Sequence, residues 1–205
     1  MLESKDKGRR ICLFGGTFDP IHSAHLRIAE AALRRFQLDT ILFVPAGTPP
    51  HKAGVVVTPY EDRLRMVELA CKPYPMFEVS RLEASEGPSY TIDTVRRFGL
   101  LVSQDDRLFF LIGADAFDDL ESWKEWRKLV QLVEFIVVTR PGGNYQIPEG
   151  AKVQPLEGIE LPVSSSSIRA RLAVEAPTPE LPPMVRAYIE EHRLYGFGEK
   201  SSVLQ

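Results

Sequence analysis

Fourteen residues near the start of the chain, Cys12 to His25, combine an apolar run, two glycines and two histidines. Gly15 and Gly16 allow the backbone to approach a bound group closely, because glycine has no Cβ atom. His22 and His25 are three residues apart and share one face if a helix has begun there. Imidazole rings can bind a metal or donate hydrogen bonds to phosphate oxygens. The spacing predicts phosphate chemistry, with a metal site or purely structural histidines as alternatives.

A strand followed by a helix would position these groups. The expected helix, Ala24–Phe36, follows the apolar strand Ile11–Phe14 after the glycine turn. Its N-terminus would direct unpaired N–H groups and a partial positive charge at the carboxyl edge of that strand, where an anion binds well. Neither G-x-G-x-x-G nor G-x-x-x-x-G-K-[ST] occurs in the chain, which disfavours a nicotinamide dehydrogenase or a P-loop NTPase.

A second segment could also bind phosphate. Four serines, 164–167, precede Arg169 at the start of an expected helix, Ser164–Leu172. Serines often do no more than cap a helix. The same N–H groups, hydroxyls and guanidinium would also suit a polyphosphate. Lys52, in a proline-rich loop after the second expected strand, could contact a phosphate or simply be solvated.

Three further features could bind the rest of a nucleotide. Asp115 follows an expected strand and could accept ribose hydroxyls or cap the next helix. Ser89, Tyr90 and Thr91 open another expected helix. Trp123 and Trp126 are three residues apart, a spacing more typical of core, although one indole could stack on a heteroaromatic ring.

Apolar runs and helical patterns alternate along the chain, and this predicts an α/β fold. We expect a Rossmann-like, doubly wound, mostly parallel sheet with helices on both faces and ligands beyond the carboxyl ends of its strands. The expected strands are Ile11–Phe14, Thr40–Pro45, Arg107–Ile112 and Glu134–Thr139, with a short one near Phe77–Arg81. The expected helices are Ala24–Phe36, Tyr60–Cys71, Tyr90–Val102, Trp123–Leu132, Ser164–Leu172 and Pro183–Leu194, and Pro141–Val163 is a long connection with one short strand at most.

Composition limits the possible classes of protein. With 205 residues, 44% hydrophobic and 26% charged, we expect one domain, 1–205, with flexible tails at 1–8 and 198–205. A net charge of −3 argues against broad binding to nucleic acid or anionic lipid. The two cysteines and the lack of an apolar run of about 18 residues favour a reducing, cytoplasmic location without a membrane partner.

Taken together, these segments resemble the bacterial nicotinate-nucleotide adenylyltransferase family, part of the nucleotidyltransferase group with a Rossmann-like fold. The likeness spans nearly the whole chain. The matching segments are GGTFDPIHSAH at 15–25, VPAGTPPHK at 44–52, GPSYTIDT at 87–94, LIGAD at 111–115, SW at 122–123, VTRPG at 138–142, VSSSSIRARL at 163–172 and YIEEHRLYG at 188–196.

The resemblance implies transfer of AMP from ATP to nicotinate mononucleotide, giving deamido-NAD and pyrophosphate in NAD biosynthesis, by direct attack of the mononucleotide phosphate. It implies catalytic roles for His22, His25 and Arg169. The implied ATP-binding residues are Gly15, Gly16, Thr17, Phe18, Lys52, Gly113, Asp115, Ser165, Ser166, Ile168 and Arg169, and the implied mononucleotide-binding residues are Ser89, Tyr90, Thr91 and Trp123. Mg²⁺ would be carried with the ATP phosphates, without protein side chains as ligands. Whether the chain forms a homo-oligomer is left open.

Three positions depart from the family pattern. Ala24 replaces the usual glycine between the histidines, Ser166 stands where threonine is common, and Lys124 follows Trp123 where relatives often have an aromatic residue. The alternatives are a nicotinamide-mononucleotide or pantetheine-phosphate adenylyltransferase, a non-catalytic nucleotide-sensing module, and a metallohydrolase built on the two histidines. The sequence does not decide between a pyridine carboxylate and a carboxamide.

Overall fold

The computed structural model describes residues 8–48, 58–84, 87–139, 143–159 and 163–198. Within these ranges the strands form one parallel sheet in the order β3-β2-β1-β4-β5-β6. The strands are β1 Arg10–Gly16, β2 Thr40–Pro45, β3 Phe77–Val79, β4 Arg107–Gly113, β5 Glu134–Val138 and β6 Val153–Leu156. The predicted α/β class and parallel sheet are confirmed.

Helices connect these strands. They are α1 Ser23–Arg35, α2 Tyr60–Cys71, α3 Thr91–Gly99, α4 Ala114–Asp118, α5 Trp126–Leu132, α6 Ser165–Leu172 and α7 Pro183–Glu191, with single 3₁₀ turns at Leu120–Ser122 and Leu194–Gly196. None of the described helices is both long enough and apolar enough to span a bilayer.

The sheet is buried on both faces, as the unbroken apolar strands require. Successive strand residues point to opposite faces, so neighbours in β1 belong to different cores. Cys12 packs into one core together with residues of α1, α2, α6 and α7. Leu13 packs into the other, together with residues of α3 and α5. Helices therefore cover both faces, as predicted.

The strand order reverses direction at β1. From there the chain moves outward to β2 and β3, then returns to place β4 on the other side of β1. Parallel register pairs Ile11 with Thr40 on one side and with Leu108 on the other. In sheets of this kind the loops after the two central strands lead away in opposite directions and leave a crevice at their carboxyl ends. The site is expected in this crevice.

Several predicted boundaries are wrong for local backbone reasons. The helix predicted to start at Trp123 starts at Trp126, because Glu125 adopts a left-handed conformation with φ of 50°. The helix predicted to end at Leu194 ends at Glu191, shortly before Arg193, where φ is 51°. The helix predicted to extend to Val102 ends at Gly99.

One helix was missed, and two predicted short strands are confirmed. The short helix α4 was not predicted, and the long connection 141–163 contains the strand β6. The short strand near Phe77 is β3, at the edge of the sheet. The predicted flexible tails lie outside the described residues except for Gly8 and Gly198.

The centre of β1 should carry more stability than a surface position of the same residue type. Leu13 is fully buried, whereas Leu101 is 70% exposed. We expect Leu13→Ala to lower the free energy of unfolding by about 2–5 kcal/mol, because the lost contacts leave a cavity. Leu101→Ala should change it by less than about 0.5 kcal/mol. Urea denaturation measures both values, and equal losses would contradict the packing described here.

Candidate active site

The buried aromatic ring of Phe18 packs against the turn that follows β1. Phe18 adopts a positive φ of 50° and is buried, with its ring edge-on to Phe14 at 5.5 Å between centroids. A Cβ atom at Gly16 would lie 2.9 Å from the Phe18 ring, so a larger residue here would force this buried ring to move. Phe18, predicted to bind ATP, therefore has its ring in the core, where it shapes the turn.

The two histidines lie together at the start of α1. His22 is the N-cap residue, and its backbone N–H donates to Nδ1 of His25 at 3.2 Å. The two ring centroids are 3.9 Å apart. Because Nδ1 of His25 accepts this bond, a neutral His25 ring carries its proton on Nε2 and can donate from that nitrogen.

Burial keeps both imidazoles neutral near pH 7. It lowers the pKa of His22 from 6.5 to about 4, an effect that the nearby Glu180 carboxylate partly opposes. Burial also lowers the pKa of His25, and the proximity of His22 adds to the shift. Nδ1 of His22 is buried without a hydrogen-bond partner among the described residues. Such an atom is costly unless a ligand contacts it.

A second helix start is fastened to the same loop. Ser164 caps α6 by accepting a bond from the Ser167 N–H at 3.2 Å. The Ser165 hydroxyl donates to the Pro20 carbonyl at 3.0 Å, and Arg169 Nη1 donates to the Asp19 carbonyl at 2.7 Å. Residues 150 positions apart in sequence are thus in direct contact. The structure brings the predicted serine and arginine segment to the glycine turn.

Two other residues of α6 were also predicted to bind ATP. Ser166 is exposed in the first turn of the helix. Ile168 is fully buried in the core, and its backbone N–H donates to the Ser164 carbonyl within the helix. Its side chain therefore anchors α6 to the sheet.

The Asp19 carboxylate, in the loop after β1, is held in place by a residue near the end of the described chain. It is buried, and its Oδ1 accepts a hydrogen bond from the Tyr195 hydroxyl at 2.8 Å. Tyr195 lies in the 3₁₀ turn after α7 and adopts a positive φ of 60°. The end of the described chain thus supports the loop that precedes the histidines, a contact that the sequence analysis missed.

Beside the glycine turn lies a cavity of about 330 Å³. Its wall brings together Gly15, Gly16 and Thr17 of the turn, Gly113 at the end of β4, and all four residues predicted for the mononucleotide, Ser89, Tyr90, Thr91 and Trp123. The Trp123 ring stands edge-on to Phe110 with centroids 6.3 Å apart. The histidines and α6 do not line this cavity.

Lys124 occupies the cavity rim. Its Nζ lies 4.5 Å from the centre of the Tyr90 ring and pairs with Asp93 at 2.8 Å. Four aromatic side chains line the cavity, those of Phe14, Tyr90, Phe110 and Trp123, and such a wall suits a flat ring.

One predicted residue is described but does not line the cavity, and another cannot be placed. Asp115 is exposed on the first turn of α4 and does not line the cavity. The alternative interpretation, that Asp115 caps this helix, does not hold, because Gly113 is the N-cap residue. Lys52 lies outside the described residues.

Sequence reasoning also missed two charged residues at the site. Glu83 lines the cavity and accepts a hydrogen bond from the Thr94 hydroxyl at 2.6 Å. Nothing in its sequence surroundings indicated this. Arg63 is 1% exposed on α2. Its position on the same helical face as the buried Met66 and Val67 was an available signal, since a charge within an apolar stripe is unusual.

Comparison with known proteins gives similarities across most of the chain. The sequence profile of the cytidylyltransferase-like family matches residues 13–171. A protein of Solibacter usitatus named "Probable nicotinate-nucleotide adenylyltransferase" is 49% identical over 91% of this chain and 99% of its own length. A Thermus thermophilus protein of the same name is 46% identical with the same coverage.

Solved structures share the fold. The Plasmodium falciparum nicotinic acid mononucleotide adenylyltransferase in complex with NaAD superposes with a TM-score of 0.77. It is 24% identical in sequence, and the match covers 94% of this chain and all of that one. The same enzyme in complex with APC gives a TM-score of 0.76.

The neutral histidines should make the protein sensitive to mild acid. A histidine whose pKa is lowered by folding binds protons more readily when unfolded, so its contribution to stability is present above pH 6.5 and is lost as the pH falls toward 4. We expect the free energy of unfolding of the ligand-free protein to fall between pH 6.5 and 5. Denaturant titration at a series of pH values measures this slope.

The matched variants for this experiment are His22→Asn and His192→Asn, since His192 is exposed. His22→Asn should flatten the slope and His192→Asn should leave it unchanged. An unchanged slope in His22→Asn would contradict the assignment of a buried neutral imidazole to this position.

Proposed function

The chain belongs to the nicotinate-nucleotide adenylyltransferase family, within the cytidylyltransferase-like proteins, and we propose that it transfers AMP from ATP to nicotinate mononucleotide. The products are deamido-NAD and pyrophosphate. The observation that carries this proposal is the convergence of two helix N-termini, those of α1 and α6, at a glycine turn that also lines an aromatic cavity. Such an arrangement suits two nucleotides held with their phosphates close together.

The two halves of the site would hold the two substrates. The aromatic cavity, with Tyr90 and Trp123 in its wall, would take the pyridine ring of the mononucleotide. The N-terminal turns of α1 and α6 would take the triphosphate, since both present N–H groups at their positive ends. Gly15 and Gly16 line the cavity and belong to the turn that leads to α1, so they lie where the two substrates would meet.

The reaction asks for alignment and charge stabilisation rather than a protein nucleophile. A phosphate oxygen of the mononucleotide would attack the α-phosphorus of ATP in line, and pyrophosphate would leave from the opposite side. His22 and His25 would donate hydrogen bonds to the reacting phosphates. Their neutral rings would gain protons more readily once phosphates are bound, because a nearby anion favours the charged form. Arg169 would add a positive charge fixed by its bond to the Asp19 carbonyl.

We propose that Mg²⁺ enters with ATP, bound by phosphate oxygens and water. The nearest carboxylate of the turn, that of Asp19, is buried and already bonded to Tyr195. Within the described part of the chain no three His, Cys, Asp or Glu side chains come together. This donor set fits a metal that keeps most of its ligands from substrate and water, as Mg²⁺ commonly does. Bound there, Mg²⁺ would neutralise charge on the polyphosphate.

The assignment is tested by pyrophosphate release with ATP, Mg²⁺ and nicotinate mononucleotide. We expect turnover with this substrate and lower kcat/KM with nicotinamide mononucleotide, in keeping with the name of the 49% identical relative. Phosphopantetheine should give no pyrophosphate. Equal or better use of the amide would overturn the substrate assignment, and nucleotide binding without pyrophosphate release would favour a sensing module.

The position of Trp123 in the cavity wall predicts how its loss changes the KM for each substrate. We expect Trp123→Ala to raise the KM for the mononucleotide about tenfold or more, since stacking of a base on an aromatic side chain contributes roughly 1–3 kcal/mol. The KM for ATP should change little, because the α1 and α6 termini lie outside the cavity. Steady-state kinetics with each substrate varied in turn measures both. A rise confined to the KM for ATP would contradict the placement of the pyridine ring.

A further inference from the structure

Arg63 is a buried cation whose hydrogen bonds go to backbone carbonyls. It lies on α2 and is 1% exposed. Its Nη1 donates to the Thr17 carbonyl at 2.8 Å, its Nη2 to the Gly47 carbonyl at 3.0 Å, and its Nε to the Thr58 carbonyl at 2.9 Å. Among the described residues its hydrogen-bond partners include no carboxylate. A single side chain thus joins three separate segments of the chain.

Two of these segments belong to the two halves of the site. Thr17 ends the glycine turn after β1. Gly47 follows β2, and the N–H groups of Gly47 and Thr48 both donate to the Ser89 hydroxyl, at 3.0 and 3.2 Å. Ser89 lines the cavity beside Tyr90. The chain of contacts therefore runs from the glycine turn through Arg63 and Gly47 to the wall of the cavity.

The backbone at Gly47 leaves little room for adjustment. A Cβ atom at this position would lie 2.2 Å from the Glu83 carbonyl oxygen. The backbone at Gly47 is thus in close contact with the Glu83 backbone and is hydrogen-bonded to the Arg63 guanidinium. A change in Arg63 would release one of these two contacts.

Burying a guanidinium group costs free energy unless its charge interacts favourably with another group. Burial lowers the pKa of Arg63, yet the group keeps its charge at neutral pH. Carbonyl oxygens satisfy its donors, and the nearby Asp19 and Glu83 carboxylates partly oppose the effect of burial on its pKa. The phosphate groups expected at the glycine turn would meet this charge across the Thr17 peptide, in a setting where electrostatic attraction is stronger than in water.

We propose that Arg63 is the positioning residue that sets the spacing between the glycine turn and the mononucleotide cavity. The proposal rests on the adenylyltransferase function proposed above. Arg63 acts through the Thr17 and Gly47 backbones and touches neither substrate. Because in-line transfer depends on the relative placement of two bound molecules, an error of about 1 Å can cost roughly 100-fold in rate. Loss of Arg63 therefore reduces kcat more than either KM.

Arg63→Lys tests this, with Arg65→Lys as the matched control. Lysine keeps the charge, but its single nitrogen cannot reach three carbonyls in fixed directions. Arg65 lies on the same helix, is largely exposed and pairs with Glu68 at 3.1 Å. We expect Arg63→Lys to lower kcat by about 10- to 100-fold with both KM values within about threefold of wild type. Arg65→Lys should match wild type.

The rate is expressed per competent site, counted by calorimetric titration with ATP. A fall in kcat per site supports the proposal. A fall explained entirely by fewer competent sites would mean that Arg63 only supports folding, and would overturn it. An unchanged kcat in a folded Arg63→Lys protein would overturn it as well.

Amide hydrogen exchange provides a second test of the role of Arg63 that does not depend on enzymatic turnover. In Arg63→Lys the Gly47 and Thr48 amides should exchange at least about tenfold faster, while amides in the centre of β1 keep their protection. Unchanged exchange at Gly47 and Thr48 would overturn the proposal. If the wild-type protein releases no pyrophosphate, the proposed function fails, and this exchange result alone decides whether Arg63 fixes the spacing.

Discussion

The site depends on the crevice where β1 and β4 lie side by side and the connections leave in opposite directions. Parallel strands place their carboxyl ends at one edge, so the glycine turn after β1 and Gly113 after β4 meet there. The other parts must reach this edge from elsewhere in the chain. The start of α6 does so through the bonds from Ser165 to Pro20 and from Arg169 to Asp19, and Tyr195 fixes the other side of Asp19. The sheet provides the edge, and later segments complete the site.

Positively charged and neutral hydrogen-bond donors are concentrated at this edge of the sheet, although the chain as a whole is negatively charged. The chain as a whole carries a net charge of −3 and does not attract polyanions in general. Near the glycine turn, however, Arg63 and Arg169 donate hydrogen bonds to main-chain carbonyls. The Asp19 carboxylate lies 4.0 Å from Arg169. The Asp19 carboxylate therefore offsets part of their positive charge, and the remainder is available to a bound phosphate. The buried neutral imidazoles add donors without adding charge in the free protein.

Much of this was predictable from residue patterns, and the failures have local causes. The sheet followed from long apolar runs, and the phosphate segments followed from glycine, histidine and serine spacing near expected helix starts. The helical pattern over Trp123–Leu132 predicted a helix from Trp123, whereas the left-handed conformation of Glu125 delays the start to Trp126, and Trp123 lines the cavity. Arg63 was missed although it lies in the apolar stripe of α2, and the contact of Tyr195 was missed because its partner, Asp19, is 176 residues away in sequence.

The most direct test of the central claim is the stereochemical course at the α-phosphorus. ATP made chiral there by a sulfur substituent can be converted with nicotinate mononucleotide, and the configuration of the dinucleotide product can be determined by ³¹P NMR. Direct in-line attack between two aligned substrates predicts inversion of configuration. Retention would mean two successive displacements through an enzyme-bound nucleotide, and would contradict a site that acts by alignment and charge alone.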